Sequence, residues 1–151
     1  MATVQASAHH LGLNKPKTIF IAADNATVRA LIRQALERDT DFVVCGEATN
    51  GSEAVGKARE LAPDLIILDL RMPCLSGIDV AGVLRYALPK TRSVLLTIYA
   101  EDVGADLVSQ FHIDAVLGKA NGLADFGAQV TRLLTERADD AAAPRETMEA
   151  V

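Results

Sequence analysis

The chain has 151 residues, half of them apolar, with 10 glycines, 5 prolines and no low-complexity tract, the make-up of one ordinary globular domain. A formal net charge of -5, with Lys and Arg scattered, argues against a nucleic-acid surface, because neutralising phosphates needs clustered positive charge. Cys45 and Cys74 have neither C-x-x-C spacing nor flanking histidines, and no apolar run reaches the length of a signal-peptide core or a membrane span. A cytoplasmic protein without zinc, disulfide or membrane segment is expected.

Thr18 to Ala22 is a short apolar run between Pro16 and Asp24, the form of a buried strand. Asn25 can cap the next segment, in which Val28, Leu31, Ile32, Ala35 and Leu36 form one helical stripe ending near Arg38. The pattern then repeats. Phe42 to Gly46 reads as strand two, Ser52 to Leu61 as a helix stopped by Pro63, and Leu65 to Leu68 as an all-apolar third strand. A helix from Gly77 to about Ala87, a strand from Ser93 to Thr97 and a weaker helix over about Glu101 to Gln110 follow. Strand five is Ala115 to Leu117, and Leu123, Phe126, Val130, Leu133 and Leu134 give the last helix its apolar face. Residues 1–16 are expected to be a flexible extension, 17–137 the folded domain and 138–151 a disordered tail. Strands that are apolar on both faces and alternate with helices predict an α/β fold: a doubly wound, five-stranded parallel sheet of flavodoxin-like form.

In such a sheet, ligands lie beyond the carboxyl ends of the strands. The polar residues there are Asp24 after strand one, Asp69 after strand three, Thr97 at the end of strand four and Lys119 after strand five. Two carboxylates drawn together repel unless a cation lies between them or one is protonated. Mg²⁺ suits them, with Asp24, Asp69, the backbone carbonyl of Arg71 and waters as ligands and one position left for a phosphoryl oxygen. Asp69 is then placed to attack a phosphoryl group, with Thr97 and Lys119 binding its oxygens.

These residues resemble the receiver domains of bacterial response regulators. The resemblance covers about residues 17–137 and is most specific in Leu65-Ile-Ile-Leu-Asp-Leu-Arg-Met-Pro73 followed by Gly77; Lys119 also stands twenty-two positions after Thr97, as the family's lysine does after its hydroxyl. The resemblance implies that Asp69 is the phosphoacceptor, Asp24 the metal-binding acid, Thr97 the switch hydroxyl and Lys119 the phosphoryl contact. It also implies a sensor histidine kinase or phosphotransfer protein as donor and a protein target for the output. Helix one and helix five are candidate faces for a homodimer, with nothing in the sequence to select them. Leu88 to Ser93 and the absence of Pro after Lys119 look like receivers that usually carry a helix-turn-helix; fourteen residues after the last helix leave no such unit, so a stand-alone receiver is expected. Three positions depart from the family pattern. Ala23 stands where the first of two adjacent acids is usual, Ile98 where a small residue follows the threonine, and Val116 where an aromatic accompanies the switch, although Tyr99 is close in sequence.

Each residue also has a plainer reading. Asp69 alone is a strand-end acid, Asp24 a helix cap, Thr97 a β-former and Lys119 a solvated charge. Cys45 reads as core, Cys74 as an exposed loop thiol and His112 as a loop residue before strand five. The competing functions are a phosphorylation-independent interaction module, a haloacid-dehalogenase-like phosphohydrolase and an FMN carrier. The second lacks its acid two positions after the nucleophile, where Arg71 stands, and the third lacks a glycine-rich phosphate cradle after strand one.

Overall fold

The computed structural model describes residues 16–97, 103–118 and 125–135. Residues 1–15 and 138–151 of the expected extension and tail, together with Ile98, Tyr99, Lys119 and Leu123, lie outside them. The elements in chain order are β1 (Thr18–Ala22), α1 (Ala26–Asp39), β2 (Val43–Ala48), α2 (Gly51–Leu61), β3 (Leu65–Asp69), α3 (Gly77–Ala87), β4 (Arg92–Thr97), α4 (Ala105–Gln110), β5 (Ala115–Gly118) and α5 (Phe126–Thr135).

All strand pairs are parallel, in the order β2-β1-β3-β4-β5. Parallel strands need crossovers, and here each crossover is a helix, so both sheet faces are covered. Strand alternation divides the core accordingly. Ile19, Ile21, Leu65, Ile67, Val94 and Leu96 pack with Ile32 and Leu36 of α1 and Phe126, Val130 and Leu134 of α5. Phe20, Ala22, Ile66, Leu68 and Leu95 pack on the other side with Ala54 and Ala58 of α2 and Val80, Ala81 and Leu84 of α3.

Two details differ from the sequence reading. Leu31 is 49% exposed, because α1 is rotated so that Ile32, Ala35 and Leu36 face the sheet. The second strand continues past Gly46 to Ala48, with a register shift against β1 between Ile19 and Phe20. Gly46 is a packing position: a Cβ there would lie 2.9 Å from Cε2 of Phe20 and 2.8 Å from Cδ1 of Leu61.

The amino ends of the strands are closed by local polar locks. Asp64 Oδ2 accepts from the Thr18 N–H at 2.8 Å, and the buried Asp114 accepts from the Ser93 N–H at 2.8 Å while lying 3.5 Å from Arg92. The carboxyl ends carry the candidate site.

Candidate functional site

Winding reverses between β1 and β3, so the chain leaves these two neighbours for helices on opposite faces of the sheet, the place where open α/β sheets bind ligands. Ala22 pairs with Leu68, which brings the exit of β1, and with it Asp24, next to Asp69 at the end of β3. Asp24 is exposed in the β1-α1 loop. The cap of α1 is Asn25, whose Oδ1 accepts from the Val28 N–H at 3.0 Å, so the plainer reading of Asp24 as a helix cap does not hold.

Asp69 is 5% exposed and pairs across to Leu96, one residue before Thr97, which is 8% exposed. The ladder continues to the edge, because the Leu70 N–H donates to the Leu96 carbonyl at 2.9 Å. Thr97 in turn pairs with Gly118, the residue preceding Lys119. Register therefore gathers Asp24, Asp69 and Thr97 at one edge; Lys119 itself lies outside the described residues.

The loop after Asp69 is pinned on both sides. The Gly77 N–H donates to the Leu70 carbonyl at 2.9 Å, and the Gly51 N–H, at the start of α2, donates to the Pro73 carbonyl at 3.1 Å. A capping box starts α3, with Ser76 and Asp79 each accepting from the other's backbone N–H at 3.2 Å. Arg71 is exposed in this loop, and Cys74, also exposed, takes a left-handed φ of 73°. Cys45 is half-buried against the second core cluster, and burial raises its thiol pKa. His112 lies between α4 and β5, as expected.

Among the described residues no three His, Cys, Asp or Glu side chains form a metal-ligand group. Among the described residues the side-chain donors that register brings to this edge are the Asp24 and Asp69 carboxylates and the Thr97 hydroxyl, all oxygen. This set fits Mg²⁺, which keeps several waters and takes few protein ligands, and it does not fit zinc. Ala23 is fully buried, so the position of the missing second acid is occupied by a packed methyl group. Val116, in place of the expected aromatic, is also buried.

Sequence reasoning did not find Arg29. Its Nη1 donates to the Ala23 carbonyl at 2.6 Å and its Nε to Glu47 Oε1 of β2 at 3.0 Å. Burial pushes the Glu47 carboxyl pKa up, but hydrogen bonds from Arg33 and Arg29 outweigh it and leave the group below its ordinary range. The partners are eighteen residues apart, so no local pattern marks the contact.

A doubly wound parallel sheet with two acids beyond the strands at its switch point defines the fold class and the edge at which a ligand would sit, and comparison with known proteins gives the family. The model of the response regulator receiver domain family matches residues 19–131, and the chain belongs to that family. The chain is therefore a receiver domain of two-component signalling, a signalling domain rather than an enzyme of the usual kind. It is 33% identical over 129 residues to the uncharacterized transcriptional regulatory protein YxjL of Bacillus subtilis, covering 76% of this chain and 59% of the relative. It is 31% identical over 116 residues to the response regulator protein VraR of Staphylococcus aureus, covering 77% and 55%. The chain thus spans under two thirds of the length of these relatives. Among solved structures, a two-component response regulator of the LuxR family from Aurantimonas superposes with a TM-score of 0.74 at 23% identity, over 80% of this chain and 86% of the other. The receiver domain of AraT, a response regulator from Geobacillus stearothermophilus, gives 0.68 at 27% identity, over 81% and 98%. Among the described residues no helix is long and apolar enough to cross a membrane.

Proposed function

We propose that Asp69 accepts a phosphoryl group from a histidine kinase or phosphotransfer protein, with Mg²⁺ held by Asp24, Asp69 and the Arg71 carbonyl. The observation that carries this reading is the register: Asp69, a buried acid, ends the strand between the one leading to Asp24 and the one ending in Thr97. A carboxylate oxygen of Asp69 attacks phosphorus, the donor's bond to phosphorus breaks, and the leaving group takes its electron pair. The Thr97 hydroxyl donates to a phosphoryl oxygen, and the Lys119 ammonium neutralises its charge. Bound Mg²⁺ would neutralise the charge on the oxygens in transfer.

Receiver domains interact with histidine kinases and generally bind Mg²⁺ at the phosphorylation site, which supports both assignments. The output we propose is a protein contact in the cytoplasm. YxjL is a transcriptional regulator by name, but a net charge of -5 favours a protein target over DNA for this chain.

A second reading, an interaction module that works without phosphorylation, is favoured by the buried Ala23 and Val116. Incubation with acetyl phosphate or beryllofluoride and millimolar Mg²⁺, read by intact mass and amide NMR, separates the two. The phosphoacceptor reading requires an adduct that is absent from Asp69→Ala; no adduct and no spectral change would leave the interaction module.

A further inference from the structure

The loop carrying Asp24 is held from both sides of Ala23. The Ala23 N–H donates to the Ala48 carbonyl of β2 at 3.1 Å, while the Ala23 carbonyl accepts from Arg29 Nη1 at 2.6 Å. That carbonyl belongs to the same peptide plane as the Asp24 nitrogen, so fixing one fixes the other. Arg29 is itself immobilised: it sits in the first turn of α1, its side chain is only 16% exposed, and its Nε is bound by Glu47 Oε1. Glu47 is braced in turn by Arg33, whose Nε and Nη2 donate to Oε2 at 2.9 and 2.6 Å. The result is a relay from β2 through Glu47 and Arg29 to the peptide that leads into Asp24.

We propose that Arg29 is a positioning residue for cation binding at Asp24. The inference rests on the reading of Asp24 as a cation ligand. With Ala23 in place of a second acid, this loop offers a single carboxylate, and the affinity of one carboxylate depends on how far its backbone is ordered beforehand. The Arg29 clamp supplies that order. Electrostatics alone predicts the opposite effect of its removal: taking away a guanidinium next to a cation site lowers repulsion and should tighten binding. The sign of the change therefore separates positioning from simple charge.

The experiment is a Mg²⁺ titration of the full chain, followed by amide NMR, with thermal melts recorded in the absence of Mg²⁺. Arg29→Met is expected to weaken Mg²⁺ by roughly 10- to 100-fold, the usual effect of losing a group that orients a metal ligand. Arg33→Met removes a partner of the same carboxylate but leaves the Ala23 contact; its titration should overlay that of the wild type. Equal weakening in both variants, or unchanged or tighter binding in Arg29→Met, overturns the proposal. If Arg29→Met does not fold, Arg29→Lys replaces it: one ammonium cannot hold Glu47 and the Ala23 carbonyl in the same fork, so weaker Mg²⁺ binding is again required. Asp24→Asn distinguishes the underlying reading. Should it titrate like the wild type, Asp24 is not a ligand and the clamp has no cation to serve.

Discussion

Gly77 lies flush against the backbone of Asp69: a Cβ at position 77 would stand 2.5 Å from the Asp69 carbonyl oxygen and 2.9 Å from Cδ2 of Leu95. The helix that follows the candidate phosphoacceptor can start this close to the strand only because position 77 has no side chain. Gly77→Ala must push α3 or the end of β3 aside, at a cost of about 1–3 kcal/mol for overpacking. Urea denaturation measures the loss. Gly56, inside α2 with nothing within 4 Å of its added Cβ, is the control: Gly56→Ala should stabilise by about 0.5–1 kcal/mol. Equal effects at the two positions would refute the packing argument.

Ala23 makes a second test possible. It is fully buried beside Asp24, so Ala23→Asp places a carboxylate where a methyl group packs. Without Mg²⁺ the variant should lose about 1–3 kcal/mol, the cost of a buried polar group without compensation. With millimolar Mg²⁺ the loss should shrink, because a ligand that binds the folded state stabilises it by mass action. Thermal melts with and without Mg²⁺ decide this, and an identical deficit in both conditions counts against a cation site here.

Thr97 ends β4 with its side chain largely buried. Thr97→Val keeps the branched shape and removes only the hydroxyl. If that hydroxyl stabilises charge on the transferred phosphoryl group, adduct formation from acetyl phosphate should slow on the order of 10²-fold. Intact-mass time courses give the rate directly. A wild-type rate would leave Thr97 as a strand residue only.

Acid stability follows from Glu53. Its Oε1 accepts from the Thr49 N–H at 2.7 Å and from the Thr49 hydroxyl at 3.1 Å, and Lys57 Nζ lies 2.9 Å from Oε2. These contacts, the Thr49 backbone bond first, pull its pKa from 4.5 down to about 2. Because the folded pKa is the lower one, the unfolded chain takes up the proton first as pH falls. The stabilisation is thus present above 4.5 and disappears on descending towards 2. Glu47 shifts in the same direction. Glu53→Gln should therefore melt below wild type at pH 7, and the gap should narrow as pH falls through this window. A constant gap would mean that the Glu53 contacts do not depend on its charge.

How far the sequence is legible depends on whether the relevant partner is near in sequence. The Asn25 and Ser76 caps act over three residues, and the Asn25 cap was readable. β4 begins one residue before the apolar run that marks it in the sequence, since Arg92 breaks that run yet is buried with Asp114. Leu31 satisfied the helical stripe but faces outward, because a stripe gives the period of a helix and not its rotation against a sheet. Gly46 looked like a strand end, whereas its lack of a side chain accommodates Phe20, twenty-six residues earlier in the chain.

For the site, the residue types came from the sequence and the arrangement from the fold. Buried parallel strands must be continuous apolar runs, so the first polar residues after them, Asp24 and Asp69, mark the strand ends without any structure. The ordering of strands is a property of through-space pairing, and only the folded sheet sets β1 against β3 and so makes neighbours of those two acids. The same holds for the Arg29 bond to the Ala23 carbonyl and for Gly77 against Asp69, which depend on where packed elements meet. Composition and periodicity decide which segments are buried; which buried segments touch is decided by packing the whole chain at once.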